Sequence, residues 1–542
     1  STGTNSGIFR SLDGANWVNI DPDFLPTGYN RIVMDVAPSN NNVVYFFAAA
    51  AGGPNGHSFY KYTYTPGQGN GDGTDGNGGT WENRSTNLPA GGGTSAGGLT
   101  QVNYNQYVKV KPDDENVVFI GSTNMYRSTD GFASTDNNTW IGGYHSTNFF
   151  YPGHHPDNHS LVFFASNPNR MISGHDGGVS VTENSMATGG VHPVDWTYLN
   201  NGYYTTQVYG MDIDLKTAGD PRLSAGFQDN GKWTTHSFSG TSPWKQENFF
   251  GDGAYTAIVP GQDIRFFSNQ NGFIFRVTGN DPENPTSAVS LRPNAFGFLF
   301  VTPYILDPND SNTMYYLAGA NIYRNNNILY TNTLDSWERL STAGVAANIT
   351  AISASEDNPK HRVYYGTANG QVYRLDNART GDPVRIDVWT GKGFPVGAYV
   401  SNIAIDPTDA NKVFVVFSNY GVQSVFYSED AGASWTHVTG NLEENQDGSG
   451  NGPSTRWMRV HVKADGSKVY LLGTSVGLYS TSQINGAATD WMQEGVNSIG
   501  NVPVVMIKSR ASDGLVALGT HGTGLFSGYI GAPTSPTIAN VS

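Results

Sequence analysis

The chain of 542 residues contains no cysteine and has little charge. Without cysteine it cannot use a disulfide scaffold, a thiol nucleophile or a cysteine-ligated metal. Lys and Arg number 30 against 45 Asp and Glu, which gives a formal net charge of −15. An acidic chain with few cations binds nucleic acid and anionic membranes poorly. The composition therefore argues against nucleic acid as a partner.

Long apolar runs and helical periodicity are also missing. The longest apolar run, Val43–Ala51, has nine residues, which is too short to cross a membrane, so no transmembrane segment is expected. No segment has a 3.6-residue apolar stripe of helical length. Aromatic residues make up 12% of the chain, too many for a disordered protein. These features predict a folded, all-β protein.

What the sequence does contain is a repeat of roughly 50 residues, a period typical of repeat architectures. Each unit has an apolar strand, a strand such as Val-Val-Tyr-x-Gly-Thr, a third such as Val-Tyr-Arg-Ser, and a fourth with Trp. The 67 glycines suit the tight turns between them. About ten four-stranded units predict a β-propeller. A single ten-bladed ring is favoured, and two smaller propellers are the alternative.

The predicted propeller covers residues 1–531. The remaining stretch, 532–542, is rich in Pro, Thr and other small residues, a composition typical of linkers. We interpret it as a linker toward a further domain.

A turn motif, S-x-D-x-G-x-[ST]-W, marks the connection between the third and fourth strands. Its clearest copy runs from Ser428 to Trp435, and degenerate copies contain Asp13 and Asp130. An Asp at this place can accept hydrogen bonds from turn N–H groups, and the Trp can anchor one blade on its neighbour. We therefore interpret Asp13, Asp130, Asp430 and Trp435 as structural residues.

Four polar motifs break the repeat: 154–159 (HHPDNH), 174–178 (GHDGG), 226–231 (GFQDNG) and 251–255 (GDGAY). They fall in 4–1 connections and 2–3 turns of three consecutive predicted blades. Because such connections share one face of a propeller, we expect these motifs to converge there. The candidate ligand-binding residues are His155, Asp157, His159, His175, Asp176, Gln228, Asp229, Asn230, Asp252 and Tyr255.

Several kinds of chemistry are open to these residues. Asp176, Asp229 and Asp252 are the candidates for an acid–base pair that cleaves a glycosidic bond. His155, Asp157 and His159 are the candidates for a metal site. The same groups could also hydrogen-bond a sugar or a peptide, or simply cap glycine turns. No cofactor is required. Calcium binding is possible, for example by the Asp- and Gly-rich stretch 67–81, although a surface loop is the simpler interpretation of that stretch.

The order of these motifs resembles a bacterial family of secreted Asp-box propeller proteins. Its members are often labelled sortilin-like or glycosyl-hydrolase-repeat proteins and are common in Bacteroidota. The family pattern has D-x-H, G-N-D-G-G, Q-F-Y, G-G-x-Q-D-N-G and G-D-G. The matching residues here are Asp157, His159, Asp176, Gln207, Tyr209, Gln228, Asp229, Asn230 and Asp252, with His175 in place of Asn and Val208 in place of Phe. The resemblance implies a secreted or cell-surface protein.

Two enzyme groups with related propellers provide a test. Sialidases use an arginine triad, and no such Arg-Ile-Pro motif is present here. Xyloglucan-cleaving two-propeller enzymes carry an early Asp, and the corresponding stretch 46–53 has no acid. The sequence therefore favours a glycan- or protein-binding adhesion module outside the cell. A glycoside hydrolase using an Asp pair is the alternative, and a structural subunit of a larger surface assembly is the third possibility.

Overall fold

The computed structural model describes residues 7–50, 56–65, 78–89, 104–144, 150–239, 243–247, 251–531 and 539–541. These residues form 42 strands and no α-helix, which confirms the all-β prediction. No helix in the described residues is long and apolar enough to cross a membrane. The chain divides into two compact units, residues 1–203 and residues 204–542. Short 3-10 turns occur at Ser85–Asn87, Gln270–Gly272, Leu334–Ser336, Ser341–Ala343, Gly440–Leu442 and Gly486–Ala488.

The first unit contains a two-stranded hairpin and three four-stranded antiparallel sheets. The hairpin is β1 (Phe9–Ser11) and β2 (Trp17–Asn19). The first sheet is β3 (Tyr29–Val36), β4 (Val43–Ala50), β5 (His57–Tyr64) and β6 (Gly79–Asn83). The second is β7 (Tyr107–Lys111), β8 (Asp114–Gly121), β9 (Met125–Ser128) and β10 (Asn138–Gly142). The third is β11 (Asn158–Phe164), β12 (Asn167–His175), β13 (Gly178–Thr182) and β14 (Thr197–Tyr198).

The second unit contains seven four-stranded antiparallel sheets in sequence order. They are β15–β18 (Val208–Ile213, Leu223–Phe227, Gly231–Thr235, Lys245–Gln246), β19–β22 (Gly253–Ile258, Ile264–Asn269, Ile274–Thr278, Ser287–Ser290), β23–β26 (Tyr304–Asp307, Asp310–Ala318, Asn321–Asn325, Glu338–Arg339), β27–β30 (Ile349–Ala354, Val363–Thr367, Val372–Leu375, Ile386–Asp387), β31–β34 (Val400–Asp406, Asp409–Phe417, Val425–Ser428, Thr436–His437), β35–β38 (Thr455–Val462, Lys468–Thr474, Gly477–Thr481, Met492–Glu494) and β39–β42 (Val504–Arg510, Leu515–Thr520, Leu525–Tyr529, Ala539–Val541).

The seven sheets of the second unit close into a ring. A cavity of about 190 Å³ is lined by the first strands of all seven. The first and last sheets share an apolar core that contains Met211 and Met506, and the Met211 N–H lies 3.2 Å from the Met506 sulfur. Lys508 pairs with Asp212 at 3.1 Å. The propeller prediction is confirmed. The favoured ten-bladed ring is not formed, because seven sheets already complete a circle.

Buried arginines and indoles tie successive sheets together inside each unit. An arginine of the third strand reaches carbonyl groups in the 3–4 connection of the next sheet: Arg127 to Ala187, Arg276 to Thr331, Arg324 to Ala378 and Arg374 to Ala431. Carbonyls buried between sheets need such donors, because an unmatched buried acceptor is costly. These four arginines therefore have a structural role.

The last sheet includes part of the stretch interpreted as a linker. Strand β42 pairs with β41, and Val541 lies opposite Leu525. Residues 539–541 thus belong to the propeller rather than to a linker. Residues 532–538 lie outside the described residues, as does most of the glycine-rich stretch 67–81.

The predicted structural Asp residues have local turn contacts. Asp130 accepts hydrogen bonds from the Ala133 N–H at 3.1 Å and from the Ser134 hydroxyl at 2.7 Å. Asp430 accepts from the Ser434 N–H at 2.8 Å, and Asp13 from the Asn16 N–H at 2.7 Å. Burial opposes ionisation of these carboxyls, but the hydrogen bonds stabilise the charged form and outweigh it. The pKa of all three carboxyls is therefore lowered, and the pKa of Asp130 is about 2. The Trp435 indole donates to the Val388 carbonyl at 2.7 Å.

Candidate functional site

Two of the four polar motifs meet in the first unit, at one end of the sheet β11–β14. The 154–159 segment leads into β11, and the GHDGG segment forms the β12–β13 turn at the same end. The Asp176 N–H donates to the Asp157 carbonyl at 3.0 Å and joins the two segments. The convergence predicted for these two motifs is therefore present.

Glycines allow this tight approach. A Cβ placed on Gly177 would lie 2.5 Å from the His155 Cβ. Gly178 has φ +110°, and a Cβ there would lie 2.2 Å from the Asn200 side-chain oxygen. Asn200 fixes the turn, since its oxygen accepts from the Val179 N–H and its amide donates to the Gly177 carbonyl. A side chain at either glycine would force the two segments apart.

Asp176 and His159 form an exposed pair at this end. The His159 Nε2 lies 2.5 Å from an Asp176 carboxylate oxygen. The Tyr104 ring contacts the imidazole edge-on at 5.0 Å between centroids, and the Tyr104 side chain is itself exposed. This combination of a flat ring and hydrogen-bonding groups suits a polar ligand with an apolar face.

Asp157 has a different environment and is mostly buried. Its carboxylate accepts from the Asn105 amide at 2.7 Å, and its backbone adopts φ +60°. Burial, reinforced by the negative charge of Asp176, raises the pKa of the Asp157 carboxyl. We infer that Asp157 shapes the turn. Its main-chain carbonyl makes the contact with the neighbouring GHDGG motif.

A histidine cluster lies beneath these residues. His154 is fully buried, and its ring lies 4.7 Å from that of His175. The Nε2 atom of each ring forms a hydrogen bond with a serine hydroxyl. His154 pairs with Ser173 at 3.0 Å, and His175 pairs with Ser180 at 2.7 Å. Burial, followed by the charges of neighbouring histidines, lowers the pKa of His175 to about 4 and that of His154 well below its usual value. Both rings are therefore neutral near pH 7.

The candidate metal ligands do not converge. His155 directs Nδ1 to the Pro156 carbonyl at 3.0 Å, Asp157 binds Asn105, and His159 pairs with Asp176. Within the part of the chain that the structure describes, no group of three or more His, Asp or Glu side chains has the arrangement of a metal site. The prediction of a metal at His155, Asp157 and His159 thus finds no support in the geometry.

The other two motifs meet in the second unit. Asp229 occupies the β16–β17 turn, and Asp252 directly precedes β19. The Asp252 carboxylate accepts from the Asp229 main-chain N–H at 2.9 Å. Asp252 is buried, whereas Asp229 and Asn230 are exposed. The Gln228 N–H donates to the Gln207 carbonyl at 3.0 Å, so the turn is fixed at both ends.

Three glycines bring these backbones into contact. A Cβ on Gly253 would lie 1.9 Å from the Gly231 carbonyl oxygen and 2.6 Å from the Gly226 Cα. A Cβ on Gly226 would lie 2.3 Å from the Ala254 carbonyl oxygen. Since no side chain fits at such distances, the glycines of GFQDNG and GDGAY are a packing requirement. They place Asp229 beside Asp252.

Tyr209 lies next to these carboxylates. Burial raises the pKa of the Tyr209 phenol, and the negative charges of Asp252 and Asp229 raise it further. Its ring lies 6.2 Å from that of Phe300 and 6.4 Å from that of His521. We call Tyr209, Asp229, Phe300 and His521 the aromatic–acid cluster. In the sequence only the family pattern marks Tyr209, and neither a motif nor the repeat marks Phe300.

Two charged or phenolic groups nearby have structural roles. Lys232 is fully buried and donates to the Asn269 side chain at 2.6 Å. Burial lowers the pKa of Lys232 to about 8 against the opposing charges of Asp252 and Glu247. Tyr255 packs its ring in two apolar clusters, and burial raises the pKa of its phenol. The contacts of Tyr255 are those of a core residue rather than of a ligand-binding one.

The connection that carries Phe300 also carries other phenylalanines, and some of them are exposed. The connection between β22 and β23 carries Phe296, which is 90% exposed, and Phe300, which is 49% exposed. Arg292 of the same connection lies over the rings of Phe273 and Phe298, at 4.4 and 4.6 Å from their centroids. Exposed aromatic rings at a connection often mark a contact surface.

Comparison with known proteins supports the fold. No family model matches the chain, and no curated protein matches it. Among solved structures, the chain is similar to the GH74 xyloglucanase from Xanthomonas campestris, with a TM-score of 0.54 and 15% identity over 95% of this chain and 69% of that one. It is also similar to the GH74 enzyme of Niastella koreensis (TM-score 0.48, 16% identity, 97% of this chain, 71% of that one). YCF48 from Cyanidioschyzon merolae matches with a TM-score of 0.42 and 11% identity over 60% of this chain and 96% of that one.

The sheet topology, together with the likeness to the Xanthomonas enzyme, defines the chain as a β-propeller protein. At 15% identity, the likeness to the Xanthomonas enzyme concerns the fold alone. Function must be argued from the side chains of the two polar sites.

Proposed function

We propose that the protein is a secreted or cell-surface propeller that binds neutral glycans through the aromatic–acid cluster of its second unit. The observation that carries this proposal is the aromatic group of Tyr209, whose ring lies 6.2 Å from that of Phe300 and 6.4 Å from that of His521, at the same end of the sheet as the exposed Asp229, whose turn is held by the Asp252 carboxylate at 2.9 Å. Sugars offer apolar ring faces and hydroxyl groups, so flat rings next to fixed acceptors are suitable partners.

Charge favours a neutral glycan over an anionic one. Asp229 and Asp252 both lie near Tyr209, and the nearby Lys232 is buried with its ammonium on Asn269. Arg292 lies over phenylalanine rings. Two carboxylates would repel the carboxylate of an acidic sugar, which makes such a ligand unfavourable.

The environment of the carboxylates favours binding over hydrolysis. Asp252 is buried and holds the Asp229 turn. Asp157 is buried against Asn105, and Asp176 pairs with His159. A glycosidase needs one carboxyl as acid and another as base or nucleophile on either side of the bond. Of the three catalytic candidates, Asp176 and Asp252 are thus each engaged with a neighbouring residue. The name of the Xanthomonas neighbour, a xyloglucanase, makes xyloglucan a reasonable first polysaccharide to test.

The test is a binding assay on the full chain with soluble xyloglucan, a neutral mannan and polygalacturonate. We expect binding to a neutral polysaccharide and none to polygalacturonate. Tyr209→Ala and Asp229→Ala should each weaken binding at least tenfold, as loss of a central contact does. Asp430→Ala, which alters a distant turn, is the matched control and should bind normally.

The same samples test the enzyme alternative. Release of reducing ends from a polysaccharide, lost in Asp229→Ala, would replace the binding proposal by a hydrolase. Failure to bind any of the three polysaccharides would contradict the proposal. Binding that does not change in Tyr209→Ala and Asp229→Ala would place the site elsewhere.

A further inference from the structure

The first strand of most sheets in the second unit contains one extra residue near its start. Counting the seven sheets along the chain, the pairing with the second strand skips Tyr209 in the first, Thr350 in the fourth, Ser401 in the fifth, Arg456 in the sixth and Val505 in the seventh. Such β-bulges redirect a side chain and are frequent next to active sites. Because the first strands line the central cavity, these bulges occupy equivalent places around the centre of the ring.

Two of the bulge residues bind the neighbouring sheet. The Thr350 hydroxyl donates to the Val400 carbonyl at 2.6 Å, and the Ser401 hydroxyl donates to the Thr455 carbonyl at 3.3 Å. Arg456 occupies the next equivalent place, but within the described part of the chain no group pairs with its guanidinium, and its Nε is buried. Buried donors in native proteins normally have an acceptor. The arginine therefore lacks the structural role of its two counterparts.

Arg456 lies near His521 and thus near the aromatic–acid cluster. His521 lies in the β40–β41 turn and pairs across a single bridge with Gln207. Its partial burial lowers the pKa of the imidazole, and the positive charge of Arg456 lowers it further, so the ring is mostly neutral near pH 7. The His521 ring lies 6.4 Å from that of Tyr209. Arg456, His521 and Tyr209 thus follow one another across the sixth, seventh and first sheets.

Glycines allow these three sheets to approach closely at this end. A Cβ on Gly473 of β36 would lie 2.5 Å from the carbonyl oxygen of Val504, which directly precedes the bulge of the seventh sheet. A Cβ on Gly519 of β40 would lie 2.7 Å from the side chain of Val208, which directly precedes the bulge of the first sheet. The lack of room for side chains keeps the sheets together. Arg456 and the aromatic–acid cluster therefore belong to one continuous surface.

We propose that the glycan site continues from the aromatic–acid cluster across the seventh sheet to Arg456, and that it binds a neutral oligosaccharide chain rather than a single sugar. This inference rests on the glycan binding proposed above. Neighbouring sheets pack up to roughly 10 Å apart, so a ligand that contacts both the first and the sixth sheet is longer than one sugar. The planar guanidinium presents five N–H donors in a fork, which suits two adjacent hydroxyl groups.

The contacts differ along the proposed site. Asp229 offers acceptors at one end, Arg456 offers donors at the other, and the rings of Tyr209 and His521 lie between them. One guanidinium is set against the carboxylates of Asp229 and Asp252, and the neutral imidazole adds no charge. The site thus has no excess of positive charge that would favour an acidic sugar.

The experiment is a calorimetric titration of the full chain with cellobiose and cellohexaose, and with mannobiose and mannohexaose. We expect the hexasaccharide of at least one pair to bind more tightly than its disaccharide. Arg456→Ala should weaken hexasaccharide binding at least tenfold, as loss of a major contact does, and leave any disaccharide binding unchanged. Tyr209→Ala should weaken both. Arg339→Ala, which removes an exposed arginine of the outer strand β26, is the matched control and should bind normally.

Equal loss of disaccharide and hexasaccharide binding in Arg456→Ala, or no loss of either, would overturn this inference, and the losses in Tyr209→Ala would still support the proposed function. Absence of hexasaccharide binding by the wild type would also overturn it, and the polysaccharide assay then decides separately whether the proposed function stands. Binding of hexagalacturonate that is lost in Arg456→Ala would replace the neutral chain by an anionic ligand. If Arg456→Ala proves unstable, Arg456→Met keeps the apolar stem of the side chain and tests the same contact.

Discussion

The buried carboxylate of Asp252 holds the main-chain N–H of Asp229 at 2.9 Å, and Asp229 itself adopts φ +55°. One aspartate thus fixes the backbone from which a second, exposed aspartate projects. The aspartates of the two motifs therefore have different roles. Asp252 supports the turn, and Asp229 presents its side chain at the surface.

Replacing Asp252 should disturb the site through this hydrogen bond. Asp252→Ala leaves the Asp229 N–H without its acceptor, and we expect a loss of about 1–2 kcal/mol in stability together with at least tenfold weaker glycan binding. Asp252→Asn keeps a side-chain oxygen at the same position and should retain most of both. Chemical denaturation and a binding titration are the measurements. Equal loss in the two variants would show that the charge, rather than the hydrogen bond, matters.

Stability of the first unit should fall in mildly acidic solution because of His175. Its folded pKa of about 4 lies below the usual 6.5, so the folded state binds fewer protons than the unfolded one between these values. The stabilisation is complete above pH 6.5 and is lost as the pH falls toward 4, by about 3 kcal/mol in total. Buried His154 acts in the same direction. Asp157, with a raised pKa, partly offsets the loss near the acid end.

The variant His175→Asn isolates this effect. Asparagine cannot titrate, so the variant should show a flatter dependence of the unfolding midpoint on pH between 6.5 and 4. Thermal or urea unfolding across this range is the measurement. A wild-type and variant profile with the same slope would rule out His175 as the origin.

Removing Arg510 should open the ring at its closing point. Its guanidinium side chain is 1% exposed and pairs with Asp513. It also donates to the Asp214 carbonyl at 3.0 Å. Arg510→Met leaves these acceptors unmatched, and we expect about 3 kcal/mol of destabilisation. Arg339→Met, at an exposed position, should change stability by less than about 0.5 kcal/mol. A similar midpoint for both variants would contradict the closing role.

Shortening Trp491 should destabilise the second unit, because its indole is 2% exposed and donates to the Val438 carbonyl at 2.9 Å. Trp491→Ala removes a buried indole, and such truncations cost about 3–5 kcal/mol. Chemical denaturation of the wild type and the variant is the measurement. Trp491→Phe, which keeps an aromatic ring but loses the hydrogen bond to Val438, should cost about 1 kcal/mol. Equal unfolding midpoints for Trp491→Ala and Trp491→Phe would show that packing of the indole contributes little to stability.

Strand pattern and glycine positions made much of this architecture predictable. Each repeat provides four alternating apolar segments separated by turn residues, and the structure forms a four-stranded sheet from each in ten places. From the sequence we expected the motifs that contain Asp157, Asp176, Asp229 and Asp252 to share one face, but not the particular contacts of Asp157 with Asp176 and of Asp229 with Asp252. The contact of Asp157 with Asp176 depends on the antiparallel order of β11, β12 and β13, whereas Asp229 and Asp252 belong to two successive sheets whose packing brings them together.

The number of sheets in the ring was not predictable, because each repeat looks equally able to follow the last. Closure depends on how Met211 and Met506 pack, which no local pattern encodes. Phe300 was missed for a similar reason. It lies in the long connection 291–303, where neither strand nor helix periodicity says which way a side chain points. The three phenylalanines within five positions, 296–300, were the available signal.

Closure between Met211 and Met506 joins positions 295 residues apart. Contacts this distant in sequence form slowly, since the loop entropy must be overcome before they contribute. During synthesis one apolar flank of the first sheet of the second unit therefore stays uncovered until the seventh sheet has left the ribosome. This interval is the period of greatest exposure to misassembly for this chain, and we expect slow refolding from denaturant to reflect the same step.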